Sequence, residues 1–241
     1  MTDPSADLLA IVPALNEEAT VADVVAAIRR DLGADVIVID DGSSDRTGAL
    51  ARGAGATVLR HPFNLGVGAA LRTGFRYADA MGYAAVVQVD GDGQHDTAGA
   101  HALVDTVRRG DADLAVGSRF ADGYQVSGLR RLSMRALSRT VSKRVGVTIT
   151  DTTSGFRAFS PAAISRFASS YPSQYLSDTV EALLLAHDDG LRIVEIPVRM
   201  RERMGGKASA GTLKSVFHLL RLMLVVAMHR YRRPLVMGGA A

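Results

Sequence analysis

Val36-Ile37-Val38-Ile39-Asp40-Asp41-Gly42-Ser43-Ser44 runs from an unbroken apolar, β-branched stretch into an acidic, glycine-containing turn. A strand with one wet face alternates apolar and polar residues. A run with no polar member predicts a strand covered on both faces. The arrangement recurs on either side: Leu8–Val12 is an apolar run that stops at Pro13, and Ala84–Val89 opens into Asp90-Gly91-Asp92. Thr57–Arg60 and Leu114–Gly117 complete five strands. Between them the apolar spacing turns helical: over Glu17–Leu32 with Thr20 as its cap, over Ser44–Gly53, over Val67–Met81 after Asn64-Leu65-Gly66, and over Ala98–Arg109. This alternation predicts an α/β fold, a mostly parallel twisted sheet with helices on both faces. Such sheets bind ligands at the carboxyl ends of their strands. Those ends carry Pro13-Ala14-Leu15-Asn16-Glu17, Asp40-Asp41, Asp90-Gly91-Asp92 and Gly117-Ser118-Arg119. Acids at three strand ends and an arginine at another predict a single site.

The second half is less regular. Gly128–Val145 reads as a helix, Thr150–Gly155 as a turn, Ser177–Asp188 as a helix, and Ile193–Val198 as an edge strand interrupted by Pro197. Arg201–Gly211 is a polar loop and Thr212–Arg230 a final helix. The expected organisation is one domain over 1–211, an amphipathic helix over 212–233 and a frayed tail over 234–241.

Composition bounds the answer. The chain has 241 residues, 47% of them hydrophobic and 22% charged, which predicts a real core and excludes disorder over most of the length. Net charge is only +3, with positive residues thickening after Arg119. There is no cysteine, hence no disulfide framework and no thiolate metal site, which fits a cytoplasmic location. Met1–Asp7 lacks the features of a signal peptide. The longest apolar stretch, Leu222–Met228, falls far short of the ~20 residues that span a bilayer.

Asp90-Gly91-Asp92-Gly93-Gln94 is the strongest chemical signal. Two carboxylates at a strand mouth suit a hard cation, Mg²⁺ or Mn²⁺, that keeps water ligands and shares substrate phosphates. Gln94 adds a neutral oxygen, and the glycines let phosphates approach the backbone. Taken alone, the pattern is also that of a polar turn. Asp41 projects toward a ligand while Ser43 or Ser44 caps the next helix. Arg119 matches phosphate oxygens or makes a surface salt bridge. The loop Arg201–Lys207 gathers positive charge around Gly205-Gly206; it either closes over a phosphate or is simply a solvated loop. The six histidines show no metal-ligand spacing, and His95 is expected as a partly exposed neighbour of the acids.

As an ordered set, several stretches resemble one family. They are Val12-Pro13-Ala14-Leu15-Asn16-Glu17-Glu18, Asp40-Asp41-Gly42-Ser43, Asn64-Leu65-Gly66-Val67-Gly68, Asp90-Gly91-Asp92-Gly93-Gln94-His95, Gly117-Ser118-Arg119, Ser154-Gly155-Phe156-Arg157 and Glu195-Ile196-Pro197-Val198. Over roughly Leu8–Lys207 the chain resembles glycosyltransferase family 2, in the branch of dolichol- and polyprenol-phosphate sugar synthases. The resemblance implies a Rossmann-like GT-A fold with C-terminal amphipathic helices, and inverting transfer of a hexosyl or N-acetylhexosaminyl group from a UDP- or GDP-linked sugar. It places Pro13, Leu15, Glu17, Ile39 and Asp41 at the base and ribose, and Asp90, Gly91 and Asp92 at the ribose and diphosphate. Asp92 and Gln94 would ligate the metal with Asp90 close by, and Arg119, Arg203 and Lys207 would hold phosphates. Leu15 stands where the family often has an aromatic residue. Gly205-Gly206-Lys207-Ala208-Ser209 departs from the family's serine-lysine order.

The acceptor sets the remaining chemistry. A lipid phosphate is ionised near neutral pH, its second pKa by analogy ~6, and needs no general base. A hydroxyl acceptor, as in a soluble relative acting on a sugar or natural product, needs one; Asp178, Glu181 and Asp151 are the candidates. Their alternative is helix capping and surface charge. Arg131, Arg135, Arg139 and Lys143 recur every four residues on one flank of Gly128–Val145, with Leu132, Ala136 and Leu137 beside them. Lys214, His218 and Arg221 share a face of Thr212–Arg230. Two basic amphipathic helices suit an anionic membrane surface and favour a polyprenyl phosphate acceptor, with the protein peripheral at the inner face and a small membrane protein as a possible partner. A nucleotidyltransferase would want a glycine- and lysine-containing phosphate loop, which Pro13–Glu18 is not. Nucleic acid is excluded as a partner because acids stand where its phosphates would bind.

Overall fold

The computed structural model describes residues 7–119, 128–172 and 178–199. In chain order the elements are β1 (Leu8–Ala14), α1 (Val21–Leu32), β2 (Asp35–Asp40), α2 (Thr47–Gly53), β3 (Thr57–Arg60), α3 (Val67–Met81), β4 (Ala85–Gln88), α4 (Ala100–Arg108), β5 (Leu114–Ser118), α5 (Gly128–Val145), β6 (Arg157–Phe159), α6 (Pro161–Ser170), α7 (Asp178–Asp188) and β7 (Ile193–Pro197). The strands form one sheet in the order β3-β2-β1-β4-β6-β5-β7. All pairings are parallel except the two made by β6, which runs antiparallel between β4 and β5.

The two-residue period sorts the strands into two cores. Leu9, Ile11, Ile37, Ile39, Val86, Leu114 and Val116 face one side, with Leu71 and Phe75 of α3, Phe167 of α6, and Leu183 of α7. Leu8, Ala10, Val12, Val36, Val38, Ala85 and Val87 face the other, with Val25 and Ile28 of α1 and Leu103 of α4. Both faces are covered, so the unbroken apolar runs have the environment they require. Gly74 marks the tightest contact: a Cβ there would come within 2.5 Å of the Ile11 side chain, so α3 lies directly on β1.

Expectation and structure differ in a few places. β1 continues through Pro13, which pairs with Ile39 at the strand's end. Thr20 occupies the cap position of α1 but makes no capping bond; its hydroxyl donates to the Gly91 carbonyl at 2.7 Å. Neither Ser43 nor Ser44 caps α2, which starts at Thr47; Asp45 Oδ1 accepts from the Thr47 N–H at 2.9 Å instead. β6 and α6 were not predicted. β6 is three residues long and contains an arginine, so it carries no apolar run. The start of α6 does carry a signal, Ser160 as cap and Pro161 in the first turn, with Ser160 Oγ accepting from the Ala163 N–H.

α5 spans the predicted residues. Leu137, Val141 and Val145 of α5 are core, whereas Arg135, Arg139 and Lys143 are exposed on its outer face. Leu137, expected beside the basic flank, thus belongs to the interior. Among the described residues no helix is long and apolar enough to cross a membrane. The Thr212–Arg230 helix lies outside the described residues.

Candidate functional site

Three turns converge past the carboxyl ends of β1, β2 and β4. The turn after β1 is fastened to the turn after β2. Asn16, with a left-handed φ of 56°, donates its N–H to Ser43 Oγ at 3.0 Å, and its side-chain carbonyl accepts the Ser44 N–H at 2.9 Å. The Glu17 N–H donates to Thr47 Oγ1 at 2.8 Å. Burial tends to raise the Asp45 carboxyl, but hydrogen bonds from Thr47 and from the Glu18 N–H hold it below the usual carboxylate range.

Asp41 fastens a further loop. Oδ1 lies 2.6 Å from His61 Nδ1 and accepts the Leu65 N–H at 2.9 Å; Oδ2 accepts the Gly66 N–H at 2.8 Å. His61 Nε2 lies 3.0 Å from Thr73 Oγ1. Gly42 has φ 79°, and a Cβ there would come within 2.6 Å of the Phe63 backbone, so this turn admits only glycine. These turns enclose a cleft of about 360 Å³, bordered by Pro13, Leu15, Glu17, Asp41, Asn64 and Gly66 on one side and by Asp90, Gly91 and Asp92 on the other.

Asp90 also borders a second cavity of about 60 Å³, with Gln94, His95, Arg119, Asp151, Thr153, Ser154 and Gly155. The Asp90 side chain is 40% exposed. Asp92 Oδ1 accepts the Gln94 N–H at 3.0 Å. Arg119 Nε lies 2.8 Å from Asp151 Oδ2, and its Nη2 donates to Thr153 Oγ1 at 3.1 Å. Asp151, 1% exposed, is held by its own N–H donating to Glu195 Oε1 at 2.8 Å. Asp151 thus borders the cavity with its carboxylate already paired to Arg119. No group of three or more acids or histidines among the described residues could hold a metal unaided. The oxygens of Asp90, Asp92 and Gln94 nonetheless fit a hard cation that draws its other ligands from water and a diphosphate.

Beneath Asp90 lies a buried polar cluster. Arg157, directly across from Gln88 in the β4–β6 pair, is fully buried. Its Nε donates to the Ser154 carbonyl at 2.8 Å. Arg157 Nη1 and Nη2, Gln88 Oε1 and the Tyr171 hydroxyl have no hydrogen-bond partner among the described residues. Burial pushes the guanidinium below its ordinary value, while the charges of Asp178, Asp151 and Asp90 push it back. Burial also raises the Asp178 carboxyl, 5% exposed, to about 6 against the pull of Arg157. Glu181, one turn along α7, is 9% exposed.

The structure therefore brings Pro13, Leu15, Glu17, Asp41, Asp90, Gly91 and Asp92 to one cleft, and Gln94 and Arg119 to its annex. Ile39 is not brought there; it is fully buried in the core beneath. Arg203 and Lys207 lie outside the described residues. His95 is 5% exposed, not the partly exposed neighbour expected, because its ring stacks on Phe156 at 4.6 Å. Sequence reasoning missed His61, Asn16 and Asn64. Asn16 and Asn64 both stand in stretches of the family resemblance, whereas a lone histidine 20 residues from its carboxylate gives no spacing to read.

Comparison with known proteins is consistent in kind. The sequence model of Glycosyl transferase family 2 matches residues 9–168. Polyprenol monophosphomannose synthase of Mycolicibacterium smegmatis is 32% identical over 211 residues, covering 83% of this chain and 79% of that protein. Undecaprenyl-phosphate mannosyltransferase of Micrococcus luteus is 30% identical over 211 residues, covering 83% and 86%. Among solved structures, glucosyl-3-phosphoglycerate synthase from Mycobacterium tuberculosis, in complex with Mn²⁺, UDP and glucosyl-3-phosphoglycerate, superposes with a TM-score of 0.70 at 21% identity, covering 93% of this chain and 80% of that one. That likeness establishes the shared GT-A fold.

Proposed function

The chain belongs to glycosyltransferase family 2, and from that premise we propose that it transfers a sugar from a nucleoside diphosphate to a polyprenyl phosphate, with inversion at the anomeric carbon. The observation that carries this reading is the cleft of about 360 Å³ in which Pro13, Leu15, Glu17 and Asp41 face Asp90, Gly91 and Asp92. Its first wall suits a base and ribose, its second a diphosphate. The acceptor class is supported by relatives whose names specify polyprenyl-phosphate chemistry.

Asp92 and Gln94, with Asp90, would hold a divalent cation, Mg²⁺ or Mn²⁺, which when bound neutralises charge on the departing diphosphate. Support comes from the oxygen donors and from the solved neighbour crystallised with Mn²⁺ and UDP. Gly91 lets the diphosphate lie against the backbone. Arg119, braced by Asp151, presents fixed positive charge beside Asp90 for the diphosphate or the acceptor phosphate. Arg203 and Lys207, which lie outside the described residues, would supply further charge. An ionised acceptor phosphate attacks without a general base. The exposed Arg135, Arg139 and Lys143 of α5, near Leu132 at 64% exposure, suit the anionic inner face of a membrane.

The test is nucleoside diphosphate release from a panel of UDP- and GDP-sugars with Mg²⁺ or Mn²⁺, with and without short-chain polyprenyl phosphate. One donor should turn over only with the lipid, and chelation should stop it. Turnover indifferent to the lipid overturns the acceptor assignment. A second reading, transfer to a hydroxyl, draws on Asp178, whose carboxyl at about 6 suits a general base. Under that reading Asp178→Asn abolishes transfer; with a phosphate acceptor it leaves most of it.

A further inference from the structure

Nothing in sugar transfer itself calls for a buried histidine behind the acidic turn. His95 nevertheless encloses Asp90 from two directions. Its Nδ1 accepts the Asp90 N–H at 3.1 Å, which puts the ring proton on Nε2. Nε2 in turn lies 3.6 Å from Asp90 Oδ2. The ring lies nearly flat on Phe156, centroids 4.6 Å apart and planes 18° apart. Gly155 closes on the same carboxylate, since a Cβ there would come within 2.9 Å of Asp90 Oδ2. The turn that carries Asp90 needs such a brace. It leaves β4 after Gln88, and Gly93 takes a left-handed φ of 74°. Glycines give that turn its shape and no stiffness.

We propose that His95 is a positioning residue: stacked on Phe156, it fixes the backbone and carboxylate of Asp90 in the orientation that a divalent cation and diphosphate require. The proposal rests on the glycosyl-transfer reading above. It also gives the Ser154-Gly155-Phe156-Arg157 stretch a task, as the wall against which His95 and Asp90 are set. A ring that merely filled space would need no acceptor nitrogen. Without that acceptor, the Asp90 N–H behind the turn loses its partner.

Two substitutions separate the roles. His95→Phe keeps the ring, its volume and its stacking but removes the acceptor. His95→Asn removes the ring and keeps an acceptor oxygen near the Nδ1 position. Mn²⁺ binding is read on the full-length chain from loss of the free-ion EPR signal, with the metal alone and with UDP or GDP added. kcat and the donor KM are read beside it, and thermal melts report folding. His95→Phe should stay folded, bind Mn²⁺ about tenfold more weakly and lose about ten- to a hundredfold in kcat, with His95→Asn recovering a substantial part of both. Wild-type Mn²⁺ affinity and kcat in folded His95→Phe overturn the proposal, as do losses that only track the folded fraction. If His95→Phe does not fold, Phe156→Leu replaces it: the acceptor stays, the stack goes, and an unchanged Mn²⁺ affinity overturns the proposal. A wild-type chain that neither binds Mn²⁺ nor releases diphosphate from any donor defeats the transfer reading itself, and this inference with it.

Discussion

The two walls of the cleft are made of different material. The wall of residues 13–18, 40–47 and 61–66 is joined by neutral and charge-assisted hydrogen bonds in which side chains cap backbone N–H groups: Asn16 with Ser43 and Ser44, Glu17 with Thr47, Asp41 with Leu65 and Gly66. The wall around Asp90 is held by charge. Arg119 with Asp151, and Arg157 near Asp178 and Asp90, carry it, and several buried polar atoms there lack hydrogen-bond partners among the described residues. Hydrogen bonds to backbone fix a shape and leave little to adjust. Opposed charges in a dry interior are sensitive to each neighbour's ionisation. Under the proposed transfer, the rigid wall would hold the unreacting part of the donor and the charged one the part where charge moves.

Removing the acid that both walls would serve should have the largest effect. Asp92→Ala is expected to lower kcat by about a hundred- to a thousandfold, with the fold intact, in a diphosphate-release assay. Next comes the charged wall. Arg157→Met leaves Asp178 without its counter-charge and should cost about 3 kcal/mol in urea unfolding at neutral pH. Adding Asp178→Asn should restore most of that loss, and additive losses would show that the two do not act as a pair. In the hydrogen-bonded wall, Asp41→Asn should cost about 2 kcal/mol and raise the donor KM more than it lowers kcat. Equal falls in kcat and kcat/KM would erase the distinction between the walls.

The smallest effect depends on pH. Burial raises the folded pKa of Asp178 to about 6 from its ordinary 3.8. The folded state therefore binds this proton more tightly than the unfolded one. That contribution is fully present below about pH 4 and is lost as pH rises through 6. Asp178→Asn should thus stabilise the protein by about 2 kcal/mol at pH 8 and leave it almost unchanged near pH 4. Unfolding curves at both values check the sign.

Much of the hydrogen-bonded wall could be read in the sequence, because its residues follow long apolar strands whose ends are plain. α3 and the edge strand with Pro197 were legible for similar reasons: long helical spacing in one, a proline tolerated only at an edge in the other. The charged wall was less legible. β6 supplies its back, and three residues containing an arginine look like loop. The burial of His95 depends on Phe156, 61 positions away in the chain, and no local pattern announces that contact. Ile39 was placed at the ligand by resemblance, although it has the period of a core residue. Asp41 borders the cleft at the end of its strand, but its saturation by Leu65 and Gly66 is a loop geometry that composition does not reveal.

The insertion of β6 between β4 and β5 also sets an order of assembly. β3, β2, β1 and β4 are neighbours within residues 8–88, so that part of the sheet can close while the rest of the chain is still on the ribosome. β5 cannot follow in turn. Its strand neighbours are β6 and β7, so it waits until Arg157 and the residues after it have been made. Pulse-labelled hydrogen exchange during refolding should accordingly protect the amides of Ile11 and Val38 before that of Ala115. A newborn chain would thus hold a finished hydrogen-bonded wall for some time before it could hold the charged wall opposite.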